Sequence, residues 1–132
     1  MKNYLLEIVT PERKVFSEQV EMLIAKANTG EIGIMAGHTP LVTSLAIGPL
    51  RVKKEGLEHL VSVMTGFMEV TPDKVVILAE AAELAEEVDI DRAMRAKERA
   101  EQRLREKGDK VDFKRAELAL QRAVTRMKVG GK

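Results

Sequence analysis

Phe67-Met68-Glu69-Val70-Thr71-Pro72-Asp73-Lys74-Val75-Val76-Ile77-Leu78 is the stretch that decides the fold. Two apolar runs flank Thr-Pro-Asp-Lys. Proline at the second turn position presets φ for a tight reversal, so the stretch reads as a β-hairpin. Upstream the same texture repeats. Val61 and Val63 alternate with Ser62 and Met64, and Lys54-Glu55-Gly56 reads as another hairpin turn. Val20, Met22 and Ile24 alternate with Glu21, Leu23 and Ala25. Glycines 30, 33, 37 and 48 and prolines 40 and 49 punctuate the middle. Many short strands at close spacing predict an antiparallel sandwich or flattened barrel.

Downstream of about residue 80 the period changes. Between Leu78 and Lys128 there is no proline and one glycine, Gly108. Ala, Glu, Arg, Lys and Leu dominate, all strong helix formers. Asp89 is placed as an N-cap, with Asp91 in the first turn, where a carboxylate complements the helix dipole. One apolar stripe runs Ile90, Ala93, Met94, Ala100, Leu104. Gly108-Asp109 breaks it, and a second runs Phe113, Ala116, Leu120, Ala123, Val124, Met127. The reading is α+β: a β-sandwich domain over 1–85, then a C-terminal two-helix αα-hairpin over 86–132. Helices of roughly 17 residues are near the limit for isolated helicity. The seam is rich in alanine and carries Lys97, so little apolar area holds it. A marginal pair tethered to a firm β domain suits a switch between packings, although a plain helical cap on the sheet fits the pattern too.

Composition narrows the function classes. The chain has 132 residues, no cysteine, no tryptophan and one tyrosine, so the core is aliphatic and no disulfide or thiolate metal site can form. No secretory signal and no run near the ~20 apolar residues of a membrane span are visible. The expected location is therefore the cytoplasm, with membrane association only through partners. Net charge is +1, divided as −3 over residues 1–85 and +4 over 86–132. The helical half is the place for an acidic partner or an anion, unless its charge is simply solvated.

On a helical wheel Arg92, Arg99 and Arg103 form one row, and Arg115, Arg122 and Arg126 another, each beside its apolar stripe. An exposed helix arginine usually finds an acid three or four residues away. Arg99, Arg122 and Arg126 have none at that spacing. Folded into a hairpin, the three could converge as a polyphosphate site of charge-assisted forks, or stay solvated, or pair with acids on another chain. There is no GxxxxGK[ST], and Gly30-Glu31-Ile32-Gly33 is not a dinucleotide fingerprint. His38 and His59, the two histidines, belong to no triad or metal-ligand spacing, so neither a catalytic residue nor a metal ligand is expected. Ten acids interleave the basic half, and its one aromatic, Phe113, lies on the apolar stripe, which argues against nucleic acid.

Several segments together resemble one family. Glu7-Ile8-Val9-Thr10-Pro11, Gly30-Glu31-Ile32-Gly33-Ile34-Met35-Ala36-Gly37-His38-Thr39-Pro40-Leu41, Gly66-Phe67-Met68-Glu69-Val70 and Phe113-Lys114-Arg115-Ala116-Glu117-Leu118-Ala119-Leu120 resemble, in order, the motifs of bacterial ATP synthase epsilon subunits. Met35-Ala36 stands where Leu-Pro is common, and Thr65 where a second glycine usually precedes Gly66. The resemblance implies a sandwich of about ten strands that binds the gamma subunit and rests on the c-ring in the rotor's central stalk. That places the chain peripherally at the cytoplasmic face of the cell membrane. It implies a helix pair that is either compact or extended toward the catalytic beta and alpha subunits, the extended form inhibiting ATP hydrolysis. It also implies a non-catalytic chain. Many bacterial members hold ATP, with or without Mg2+, through Ile/Leu-Asp-x-x-Arg-Ala. Here Val88-Asp89-Ile90-Asp91-Arg92-Ala93 matches except at Val88. By resemblance, Glu83 and Asp89 would help position the base and Val88 would form an apolar wall. Arg92 and Ala93 would belong to the motif, with Arg92 ordering it, and Arg99, Arg122 and Arg126 would meet the phosphates. The alternative is a structural coupling subunit and inhibitor without a physiological ATP switch.

Overall fold

The structure, a computed structural model, describes residues 2–106 and 110–131. The expected break at Gly108-Asp109 lies outside the described residues. Eight strands run β1 (Tyr4–Val9), β2 (Lys14–Val20), β3 (Met22–Ala27), β4 (Gly30–Met35), β5 (Leu41–Leu45), β6 (Gly48–Lys54), β7 (Leu57–Val70) and β8 (Lys74–Leu84). A 3-10 turn, Ala85–Glu87, leads into α1 (Ile90–Arg105), and α2 (Lys110–Gly130) follows.

The strands form one folded sheet in the order β2-β1-β8-β7-β5-β3-β4, with β6 pairing both β3 and β7. The β1–β8 pair is parallel and the others are antiparallel. Two long strands explain why eight are found where about ten were expected. β7 has 14 residues and β8 has 11. β7 pairs β6 through Leu57–Val63 and β5 through Gly66–Val70, so one strand serves two parts of the sheet. Between those parts lies Thr65, a β-branched residue at φ 56°. Gly66 follows, and a Cβ there would lie 2.1 Å from the Leu78 carbonyl oxygen. The close approach of β8 therefore admits only glycine.

Both expected turns are present. Pro72 and Asp73 form the loop of the β7–β8 hairpin, closed by the Thr71 N–H to Lys74 carbonyl bond at 2.9 Å. Glu55 and Gly56 connect β6 to β7 with φ 52° and 77°, the doubly positive pattern whose twist matches a two-residue hairpin.

The core is aliphatic, built from Leu6, Ile8, Leu23, Leu50, Met68 and Ile77 with their neighbours. Tyr4 is buried among them, and its hydroxyl donates to the Ile34 carbonyl at 2.8 Å. Burial pushes that phenol up, partly opposed by a backbone bond at Leu23. Two local expectations need correction. A bend at Glu21 separates β2 from β3, so Leu23, Ala25 and Ala27 turn inward while Met22 and Ile24 are only half buried. In β7, Val61, Ser62, Val63 and Met64 are all buried, because α2 covers the face opposite the sandwich interior.

The helix pair packs through α2, which lies on β7 and β6 and buries Thr125 and Val129. α1 packs principally on α2. The seam is narrower than the stripes predicted. Ala93 and Ala100 of α1 and Ala116 and Ala123 of α2 are buried, whereas Met94 and Phe113 are exposed. Phe113 lies in the first turn of α2, far from the C-terminal turns that rest on the sandwich. At 21 residues α2 also outruns the expected length, since it runs on to Gly130.

Candidate functional site: the arginine edge of the helix pair

Each buried alanine of the seam follows an arginine: Arg92-Ala93, Arg99-Ala100, Arg115-Ala116 and Arg122-Ala123. Within each helix the two pairs are seven residues apart, two turns along one face. A residue one step before the seam points about 100° from it. In an antiparallel pair, that step leads to the same side on both helices. The four arginines therefore line one edge of the hairpin. Arg103 and Arg126, three residues after a seam alanine, fall on this edge too. Both rows read from the sequence thus belong to one surface.

The predicted residues stand as follows. Asp89 caps α1, its carboxylate accepting the Arg92 N–H at 3.1 Å. It therefore serves the backbone of Arg92 and not the guanidinium. Arg92 and Arg99 are exposed and Arg122 is half buried. No ion pair among the described residues involves any of the three. Arg126 differs. Its Nε donates to Glu83 Oε1 at 2.6 Å, across 43 positions of sequence. Local spacing leaves Arg126 without a partner, but the fold supplies one from β8, so its charge is neutralised within the chain. Ser62, fully buried on β7, donates weakly to the same Glu83 oxygen at 3.5 Å and to the Glu83 carbonyl at 3.4 Å. Oε2 of Glu83 has no hydrogen bond among the described residues, which leaves an acceptor on this edge. Val88 is half buried and lies against the last turn of α2, and Ala93 belongs to the seam.

A second ion pair fixes the segment between the domains. Both oxygens of Glu87 accept from Arg13 at 2.8 Å, and Oε1 also accepts the Leu84 N–H at 2.9 Å. These bonds, the guanidinium first, hold the Glu87 carboxyl below the usual range, and the pairing raises Arg13. Nothing in the sequence spacing of residues 13 and 87 announces this contact. Among the described residues no cluster of His, Cys, Asp or Glu could hold a metal ion, and no helix is long and apolar enough to cross a membrane.

Family models match nearly the whole chain: the ATP synthase delta/epsilon chain β-sandwich domain over residues 3–85 and its long α-helix domain over residues 86–131. The chain belongs to the ATP synthase delta/epsilon family. Among its relatives is an ATP synthase epsilon chain of Bacillus velezensis, 50% identical over 99% of each chain. Another, from Nitratidesulfovibrio vulgaris, is 52% identical over 98% of this chain and 97% of its own. Among solved structures, a chain of the Euglena gracilis mitochondrial ATP synthase, OSCP/F1/c-ring, superposes with a TM-score of 0.83 at 26% identity, covering 98% of this chain and 82% of that one. A chain of the Tetrahymena thermophila ATP synthase central stalk/c-ring shares the fold at 14% identity, with a TM-score of 0.67 over 98% and 97% of the two chains. As an epsilon-type member, the chain is a subunit of that enzyme complex and not its catalytic subunit.

Proposed function

We propose that this chain is the central-stalk epsilon subunit of an ATP synthase, and that its arginine edge takes ATP as a regulatory ligand in the compact arrangement. The observation that carries the second part is the edge itself. Arg99 and Arg122 present charge that no acid among the described residues neutralises, on the edge where Arg126 meets Glu83, which keeps one acceptor oxygen open. Guanidinium forks suit phosphate oxygens, and the open carboxylate oxygen suits an adenine amino group. Since Glu83 and Arg126 are in contact, a nucleotide using both must fold back over its ribose. ATP, alone or with Mg2+, then stabilises the compact pair by its preference for that state, about 2.7 kcal/mol at a hundred times its dissociation constant. The extended pair, reaching the catalytic beta and alpha subunits, inhibits hydrolysis.

Docking to the stalk uses the other domain. Val42, Phe67 and Leu78 are 68%, 59% and 55% exposed on the adjacent strands β5, β7 and β8. Phe67 pairs directly with Leu78, and Val42 lies diagonal to it. They form an outward apolar strip suited to the gamma subunit, with the c-ring against the same domain. The solved relatives come from assemblies whose names include the c-ring. The membrane is then met only through the complex, at its cytoplasmic face.

A second reading has support of its own. Arg126 is already neutralised by Glu83, and Val88 is occupied by α2. Both favour a coupling subunit and inhibitor without an ATP switch. Hydrolysis by the complex reconstituted with this chain separates the two. With Arg122→Ala/Arg126→Ala, ATP relief of inhibition disappears if the edge is the site. Unchanged relief overturns the assignment.

A further inference from the structure

Gly130 lies in the last turn of α2 and does not adopt a positive φ. It is the last helical residue, held in the helix by the Gly131 N–H bond to the Met127 carbonyl at 2.9 Å. With no positive φ to require it, a glycine at this position calls for a packing reason. The reason is visible across the gap. A Cβ on Gly130 would lie 2.8 Å from Val88 Cβ, Val88 Cγ1 and Ile90 Cδ1. The tip of Ile90 can swing away, but Val88 Cβ is fixed to its backbone. That backbone has little room to yield. Arg13 and the Leu84 N–H hold Glu87 just before it, and the Asp89 cap holds the start of α1 just after it. Val129, beside Gly130, is fully buried.

We propose that Gly130 and Val88 form a size-matched key that keeps the helix pair closed on the sandwich. The last turn of α2 returns to the segment that joins the sandwich to α1, and any side chain at position 130 forces the two apart. The regulatory meaning of the key rests on the reading above that the helix pair leaves the compact arrangement; the packing claim does not.

Amide hydrogen exchange on the full chain tests it, with Gly130→Ala, Val88→Gly and the double variant. Gly130→Ala is expected to speed exchange across Ala116–Val129 about ten-fold, as overpacking at a local opening does, with the strand amides unchanged. The double variant, with space restored on the other side, returns toward the native rate. Native exchange in Gly130→Ala overturns the key. So does a double variant no slower than Gly130→Ala, or an equal rise in the strands, which would mark global unfolding. If exchange rises as expected while hydrolysis by the reconstituted complex is unaltered, the key stands and the regulatory reading fails.

Discussion

Thr65 shows how one residue can oppose its own fold. A β-branched side chain at φ 56° is strained, and Thr65 is exposed, so little packing compensates. Thr65→Gly should raise unfolding stability by about 1 kcal/mol in denaturant titration, whereas Gly66→Ala should cost about 3 kcal/mol, through the clash with β8. The resemblance pointed to position 65 as a departure, but only the backbone angle says what it costs. Glu7 makes a different case. Its carboxylate accepts from Lys14 and from Lys74 at 2.8 and 2.7 Å, on neighbouring strands. The Lys14 bond first, then the Lys74 bond, lower its pKa from 4.5 to about 2. A lowered acid contributes stability that is present above the unfolded value and lost as pH falls through the folded one. Loss of stability between pH 4.5 and about 2 should therefore be shallower in Glu7→Gln, followed as the melting temperature across that window.

At the scale of elements, the helix pair is fastened by polar and steric contacts more than by apolar area. Four alanines form its seam. The Glu83–Arg126 pair joins α2 to β8, with the two side chains 29% and 31% exposed. Partial exposure limits the worth of such a pair to about 1 kcal/mol. A double-mutant cycle with Glu83→Ala and Arg126→Ala should show coupling of that size in the exchange of α2 amides; purely additive effects would mean that the contact does not fasten the helix. Helical spacing made the arginine rows legible in the sequence, because an i,i+7 pattern needs only local geometry. It could not show Arg126 meeting Glu83 or Arg13 meeting Glu87, since those acids arrive through strand topology. Apolar periodicity likewise found both helices yet overestimated the seam, placing Met94 and Phe113 within it. Periodicity reports a face, and only the alanines of that face are buried, with Met94 and Phe113 left exposed beside them.

For the whole molecule, the two domains divide the work. The sandwich offers an aliphatic core, the long β7–β8 hairpin and an exposed apolar strip of Val42, Phe67 and Leu78, proposed above to meet the stalk. The helix pair offers an arginine edge and the tight approach of Gly130 to Val88, which is proposed above to open without unfolding the sandwich. The β6–β7 and β7–β8 hairpins and the alternation around Val20–Ala25 were legible in the sequence, whereas β1, β4 and β5 were not delimited there, and the ten or so strands implied by the resemblance are eight because β7 and β8 run long. The arginine edge is proposed above to hold ATP. Its most direct test is calorimetric titration of the full chain with ATP, beside the Asp89→Ala/Arg92→Ala variant. Saturable binding at millimolar or lower ATP, lost in the variant, is the expected result. No heat of binding, or equal binding by both proteins, would contradict it.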